Sequence, residues 1–234
     1  MLIASLIFGS LICFGVPVGG LIILLRRKKG AGKAFFLGML AFSVSQLGIR
    51  IPVLQLLLPR WVWFHVLQLY PWAYGLFLGL TAGVFEEGAR WIAIRFFLKD
   101  RTDLEHGLAF GLGHGGVEAM ILAGLNMTAG LMMVLTGQGA LFPATSQTVL
   151  ISGLERLYAM AFHVGASLLV MCGIRKKRTA GYLTAAVALH TVVDAAIVIL
   201  PAVFGAGIAV IELYGAAVGL LTLTAGVLAY CRRK

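Results

Sequence analysis

The chain has 234 residues, 60% hydrophobic and only 12% charged, and its 19 Lys and Arg outnumber its 9 Asp and Glu. A soluble domain is nearer half apolar and a quarter charged, so this composition excludes a soluble enzyme or binding module and points to an integral membrane protein. The net charge of +10 does not indicate nucleic-acid binding, because the basic residues cluster at the ends of apolar runs and no soluble stretch interleaves them with aromatic side chains.

Apolar runs place helices at about residues 2–25, 34–58, 71–98, 107–135, 148–174, 179–200 and 206–230. Each is long enough to cross ~30 Å of hydrocarbon at ~1.5 Å per residue. The expected fold is all-α, a polytopic transmembrane bundle of about seven helices forming a single domain over residues 1–234. The first run has no basic stretch before it and is followed by Arg26-Arg27-Lys28-Lys29. That is the pattern of a retained helix with its N-terminus outside, not of a cleaved signal peptide. The clusters at 26–33, 99–105, 175–178 and 232–234 then all fall inside, and the loops near 59–70, 136–147 and 201–205 carry only Arg60. The C-terminus is therefore expected in the cytoplasm, and the expected location is multi-pass in the plasma membrane. Arg50 and Pro52 interrupt the second run, and Trp61, Trp63, Tyr70 and Trp72 after it read as an aromatic belt or a short interfacial helix. Cys13, Cys172 and Cys231 are scattered and suggest neither a disulfide framework nor a zinc knuckle.

The third run carries Glu86, Glu87 and Arg90, the fourth His114 and Glu118, the fifth His163, and the sixth His190 and Asp194. A charged side chain at the bilayer centre costs roughly 2.5–3.5 kcal/mol on insertion scales, so such residues mark a functional site by default. Measured from the basic ends at ~1.5 Å per residue, Glu86 lies about 14 Å deep, His114 about 12 Å and His190 about 18 Å. Helices running in opposite directions thus bring carboxylate and imidazole to one layer, in the middle or the cytoplasmic half of the membrane. Glu86 and Arg90, His114 and Glu118, and His190 and Asp194 are each four apart, so each pair shares a helix face. Gly75, Gly79 and Gly83 form one small-residue ridge, and Gly107, Gly111 and Gly115 another. Third and fourth helices packed on these ridges would bring Glu86 within reach of His114.

A carboxylate beside a neutral imidazole activates water, and a second His with a neighbouring Asp donates to an oxyanion. The set Phe85-Glu86-Glu87-Gly88-Ala89-Arg90, Phe110-x-x-x-His114 and His190-x-x-x-Asp194 resembles the CAAX-protease and bacteriocin-processing (CPBP, or ABI) intramembrane peptidases. The fuller set, with Gly-Leu-Gly-His114-Gly-Gly-x-Glu118 and Glu155-Arg156 followed by His163, resembles the YhfC branch of membrane peptidases. The resemblance covers about residues 71–200, the expected catalytic core. It implies that Glu86 is the general base for water with His114 its partner, that His190 and Asp194 hold the oxyanion, and that Glu87 and Arg90 support or tune Glu86. Glu118 and His163 are further supporting residues. The CPBP spacing is Glu-Glu-x-x-x-Arg, whereas two residues separate Glu87 from Arg90 here, which leaves open which Glu faces the site. Asp194 in place of the commoner Asn opens a second reading, in which His114, Glu118, His163 and His190 bind a metal such as zinc.

The expectation is an intramembrane peptidase that hydrolyses a peptide bond in or near the cytoplasmic half of the membrane. A glutamic-type mechanism without a cofactor is favoured over a zinc-dependent one. Its partners would be the lipid bilayer and a membrane-embedded or membrane-tethered peptide or protein, with no nucleic acid. His-Glu-x-x-His, Gly-x-Ser-x-Gly and Gly-x-Gly-Asp signatures are absent. The competing readings are a proton- or ion-coupled transporter, against which stands the lack of an inverted repeat, and a non-catalytic membrane scaffold. Glu155, Arg156 and Glu212 read as scaffold near helix ends, with Glu155 and Arg156 able to brace the bundle through His163. His65 and His106 read as interface residues.

Overall fold

A computed structural model of the chain describes residues 1–231, and every regular element within them is helical. The long helices are α1 (Leu2–Arg27), α2 (Ala31–Arg60), α4 (Pro71–Ile92, continued by a wide π-type stretch Ala93–Leu98), α5 (Leu104–Leu135), α6 (Ser146–Arg175), α7 (Thr179–Phe204) and α8 (Ile208–Cys231). A short α3 (Val62–Gln68) lies between the second and third of them, next to the exposed Trp61 and Trp63. The basic group Arg232-Arg233-Lys234 lies outside the described residues. Among the described residues six helices are long and apolar enough to cross a membrane. The seventh long helix, α4, is long enough but carries Glu86, Glu87, Arg90 and Arg95. The chain is thus a multi-pass membrane protein with a charged helix inside its bundle. α7 runs through Pro201 to Phe204, past the expected end, and closes on Gly205 in the left-handed conformation that glycine adopts without strain.

α6 is the central post, packed against α1, α5, α7 and α8, while α4 lies along α7 and α2 along α5. Lipid tails are as apolar as the helices, so association in a membrane relies on close packing. The two glycine ridges provide it, but each receives a different partner from the one expected. Gly75, Gly79 and Gly83 seat α4 on the backbone of α7 near Ala195, Thr191 and Val187. Gly107, Gly111 and Gly115 seat α5 on α6 near Leu168, Val164 and Met160. Glu86 and His114 meet because α7 and α6 carry the two helices to one layer, not because α4 and α5 interlock. A ridge's spacing reveals a close approach without revealing the neighbour. A second crossing, of Gly38 on the Phe110 carbonyl and of Gly113 on the Phe35 carbonyl, draws α2 onto α5.

The end of the bundle bearing Arg26–Lys29 and Arg175–Arg178 is filled by an apolar cluster that includes Phe35, Ile94, Leu98, Phe110, Met171 and Ala186. Polar contacts tie its rim. Lys28 Nζ lies 2.7 Å from Asp103 Oδ2, and Asp103 Oδ1 accepts from the His106 backbone N–H, capping α5. His106 Nδ1 lies 2.7 Å from the same oxygen. His106 is therefore buried, 2% exposed, because the cap draws its ring inward from the interface expected of it.

Candidate active site

Four helices bring four ionisable side chains together at mid-bundle. Glu86 on α4, His114 on α5, His163 on α6 and His190 on α7 are each at most 5% exposed. Glu86 is the hub. His114 Nε2 lies 3.0 Å from its Oε2, His190 Nε2 3.6 Å from its Oε1 and His163 Nδ1 4.0 Å from its Oε2. The imidazoles of His114 and His163 lie 4.7 Å apart between centroids, and those of His163 and His190 5.7 Å.

The far side of two rings is gripped by carboxylates. His190 Nδ1 lies 2.9 Å from Glu87 Oε1, and His163 Nε2 lies 2.6 Å from Glu118 Oε2. These contacts orient each ring and hold its opposite nitrogen on the side of Glu86. The carboxylates are themselves held. Arg90 donates to both oxygens of Glu87, at 2.9 and 3.1 Å, and also to Ser167 Oγ and the His163 carbonyl. Arg156 donates to Glu118 Oε1 at 3.0 Å and also pairs with Glu155. Arg156 thus braces His163 through Glu118, within the bracing role its position near a helix end allowed.

Charge follows from these pairings. Glu87 and Arg90, both 0% exposed, neutralise each other, as do Glu118 and Arg156. Among the described residues Glu86 has no guanidinium or ammonium against it. A lone carboxylate in low dielectric is costly unless a cation or several donors meet it. Gln46 Nε2 is one such donor, giving to Glu86 Oε1 at 2.5 Å. Arg50 in turn donates to Gln46 Oε1 at 3.0 Å and to the Leu78 carbonyl at 2.7 Å. Gln46 and Arg50 lie in a π-type stretch of α2, Ser43–Arg50, whose wide turn stacks residues four apart toward the site. Sequence reasoning missed both as site residues. The signal was the spacing of four that marked the other pairs, read here as a blemish in an apolar span.

The sequence-derived residues sort as follows. Glu86, His114, His163 and His190 converge. Glu86 faces the site, and Glu87 turns to Arg90 and His190. Glu118 stands behind His163 with one oxygen on the imidazole and one on Arg156, so it backs that ring on the side away from Glu86. Asp194 Oδ2 is 3.8 Å from His190 Nε2, beyond hydrogen-bond reach, and its side chain is one-third exposed (33%) to a cavity of about 580 Å³. That cavity also touches Gln46, Arg50, Glu86, His163 and His190.

Donor atoms of Glu86, His114 and His163 lie within 4.8 Å of one another, close enough to share one ion. Imidazole nitrogen and carboxylate oxygen are ordinary zinc donors, and His–carboxylate pairs behind the ligands are the usual support of such a centre. The donor set therefore fits a divalent metal. His163 Nδ1 also lies 3.0 Å from Arg90 Nη2, so that guanidinium must yield the lone pair for His163 to bind.

The profile of the family described as YhfC intramembrane metalloprotease matches residues 12–215. The uncharacterized membrane protein YhfC of Bacillus subtilis (strain 168) is 35% identical over 202 residues, covering 75% of this chain and 76% of that protein. No solved structure matches the chain. A profile that spans most of the sequence, together with a relative at this identity and coverage, establishes that the chain belongs to the YhfC intramembrane metalloprotease family.

Proposed function

We propose that the protein is a metal-dependent intramembrane peptidase whose ion is held by Glu86, His114 and His163, with His190 beside them. The observation that carries this reading is the arrangement of imidazoles around one carboxylate. Three of them turn a nitrogen toward Glu86, and two have the opposite nitrogen held by Glu87 and Glu118. Glutamic-type catalysis uses His114 beside the carboxylate and His190 at the oxyanion, and leaves His163 and the Glu118 behind it without work. A bound divalent ion lowers the pKa of its water toward ~7 and polarises the carbonyl under attack.

The chain's own groups divide the remaining work. Glu118 and Glu87 keep His163 and His190 in register. Gln46, steadied by Arg50, fixes the rotamer of Glu86. In this reading Asp194, which faces the cavity and accepts no hydrogen bond among the described residues, takes a proton from the attacking water. His190, whose Nε2 lies between Glu86 and Asp194, steadies charge on the carbonyl oxygen. The apolar packing around the layer excludes bulk water and strengthens these interactions. The substrate is a membrane-embedded or membrane-tethered peptide segment, cut near mid-depth.

The test is metal analysis of purified protein combined with cleavage of a pool of membrane-tethered reporter peptides. Wild type is expected to carry about one zinc-class ion per chain, to lose activity to a chelator and to regain it with metal. His163→Ala is expected to lose both metal and activity. Cleavage that is indifferent to chelator yet abolished by Glu86→Gln would refute the metal reading and restore the glutamic one, in which the 3.0 Å His114–Glu86 contact is the catalytic pair.

A further inference from the structure

The cavity at the site has a direction. On α6 its lining runs from His163 back to Glu155, toward Ser146; on α8 it reaches Ile208, the first residue of that helix. On α7 it runs from His190 on to Val198, on α2 from Phe42 to Ile51, on α5 from Glu118 to Leu122, and on α4 from Glu86 back to Leu78. These six helices alternate in direction, yet every lining run heads to the same end of the bundle. That end carries the 59–70, 136–145 and 205–207 connections, where Arg60 is the sole Lys or Arg.

The opposite direction is closed. One turn beyond Glu86 and His163 lie Arg90 and Ser167, both 0% exposed and bonded to each other. Beyond them Phe110, Ile94, Leu168 and Met171, also 0% exposed, fill the bundle up to the basic rim. The rim holds Arg26–Lys29 and Arg175–Arg178, the clusters that membrane insertion retains in the cytoplasm.

We infer that the catalytic layer is reached only from the extracytoplasmic face, through this cavity, and that the peptidase therefore acts on segments presented at that face and not on cytoplasmic tails. The access route follows from the cavity and its floor; the substrate class rests in addition on the peptidase reading above. The sequence put the cut in or near the cytoplasmic half of the membrane; a chamber entered from outside puts it near mid-membrane. On its walls Arg156 offsets Glu155 and Arg50 stands against Asp194 and Glu212, so the approach is weakly acidic, which favours a segment with cationic flanks.

Substituted-cysteine labelling with a membrane-impermeant maleimide tests the route without requiring activity. The background is the full chain with Cys231→Ser, since Cys13 and Cys172 are buried. Val193→Cys and Ile211→Cys report on the cavity wall, and Lys29→Cys on the basic rim. Both wall cysteines are expected to label in right-side-out vesicles and to be protected in inverted ones, with Lys29→Cys the reverse. Wall cysteines that label from the same face as Lys29→Cys, or from neither face, overturn the route. Two wall positions guard against one variant failing to fold. In the same vesicles, reporter peptides are added to either face of the unsubstituted protein. Cleavage from the extracytoplasmic face alone supports the substrate class, and cleavage from the cytoplasmic face overturns it. Labelling as expected with cleavage from neither face leaves the route standing and counts against the peptidase reading.

Discussion

Among the described residues Arg90 is the largest side chain with no exposed surface, and its replacement by Met isolates what the Glu87–Arg90 pair does. The substitution keeps most of the volume while removing two hydrogen bonds to Glu87 and those to Ser167 and the His163 carbonyl. Ser167 still donates to the His163 carbonyl at 2.7 Å, so the hydroxyl is not orphaned. Glu87 is left as a buried carboxylate with only His190 Nδ1 beside it. Breaking one side of a buried pair costs about 3–5 kcal/mol, mostly from the stranded charge. Adding Glu87→Gln removes that charge and keeps an oxygen for His190. The double variant should then recover roughly 2 kcal/mol of the loss, and the two effects should be non-additive. The assay is denaturant unfolding in detergent micelles, followed by helical circular dichroism, with chelator present so that metal binding does not contribute. A double variant as unstable as the sum of the two single variants would show that stranded charge is not what Arg90 prevents.

Three other outcomes follow from the packing and pairing. Glu118→Gln weakens the carboxylate behind His163, so affinity for zinc in chelator competition should fall about 10–100-fold while the fold persists. Gly113→Ala drives a methyl into the Phe35 carbonyl and should cost about 1–3 kcal/mol or prevent assembly, whereas Gly88→Ala meets nothing within 4 Å and should be neutral or stabilising by about 0.5–1 kcal/mol in the same unfolding assay. At the rim, burial pushes the Asp103 carboxyl up, but hydrogen bonds from Lys28 and His106 outweigh it and hold it below the usual carboxylate value. A depressed carboxylate stabilises the fold above its unfolded pKa of about 4 and loses that contribution as pH falls through the folded value. Melting temperatures should therefore drop as pH is lowered from about 5 to 3, and Asp103→Asn should remove that component of the drop.

The spans were legible because length and hydropathy are properties of one helix at a time, and so was the common depth of Glu86, His114 and His190, which needs only a ruler along each axis. What remained hidden depends on relations between helices. The partner of a glycine ridge is set by the whole bundle, so the seating of α4 on α7 and α5 on α6 left no mark in the ridge itself. The choice between Glu86 and Glu87 turned on Arg90, three residues from Glu87, pulling that carboxylate out of the site. Glu118 shares a face with His114 in sequence, but its oxygens are claimed by His163 and Arg156 from another helix. Gln46 and Arg50 share the spacing of four that marked the other pairs, but their bonds to Glu86 and to the Leu78 carbonyl are made to another helix and left no mark in that spacing.

The one-sided chamber also reshapes the electric field across the protein. A polar cavity that reaches Glu86 from one end carries that side's potential to mid-membrane, so most of the transmembrane voltage falls across the plugged segment between Glu86 and Leu98. Moving an elementary charge through the full potential is worth about 2.3 kcal/mol per 100 mV, and here that drop is compressed into roughly half the usual thickness. Glu87 and Arg90 sit at the top of this thin insulating layer. Their pairing leaves no net charge there for the field to pull, so with the chamber filled with water the floor would not act as a voltage-driven gate.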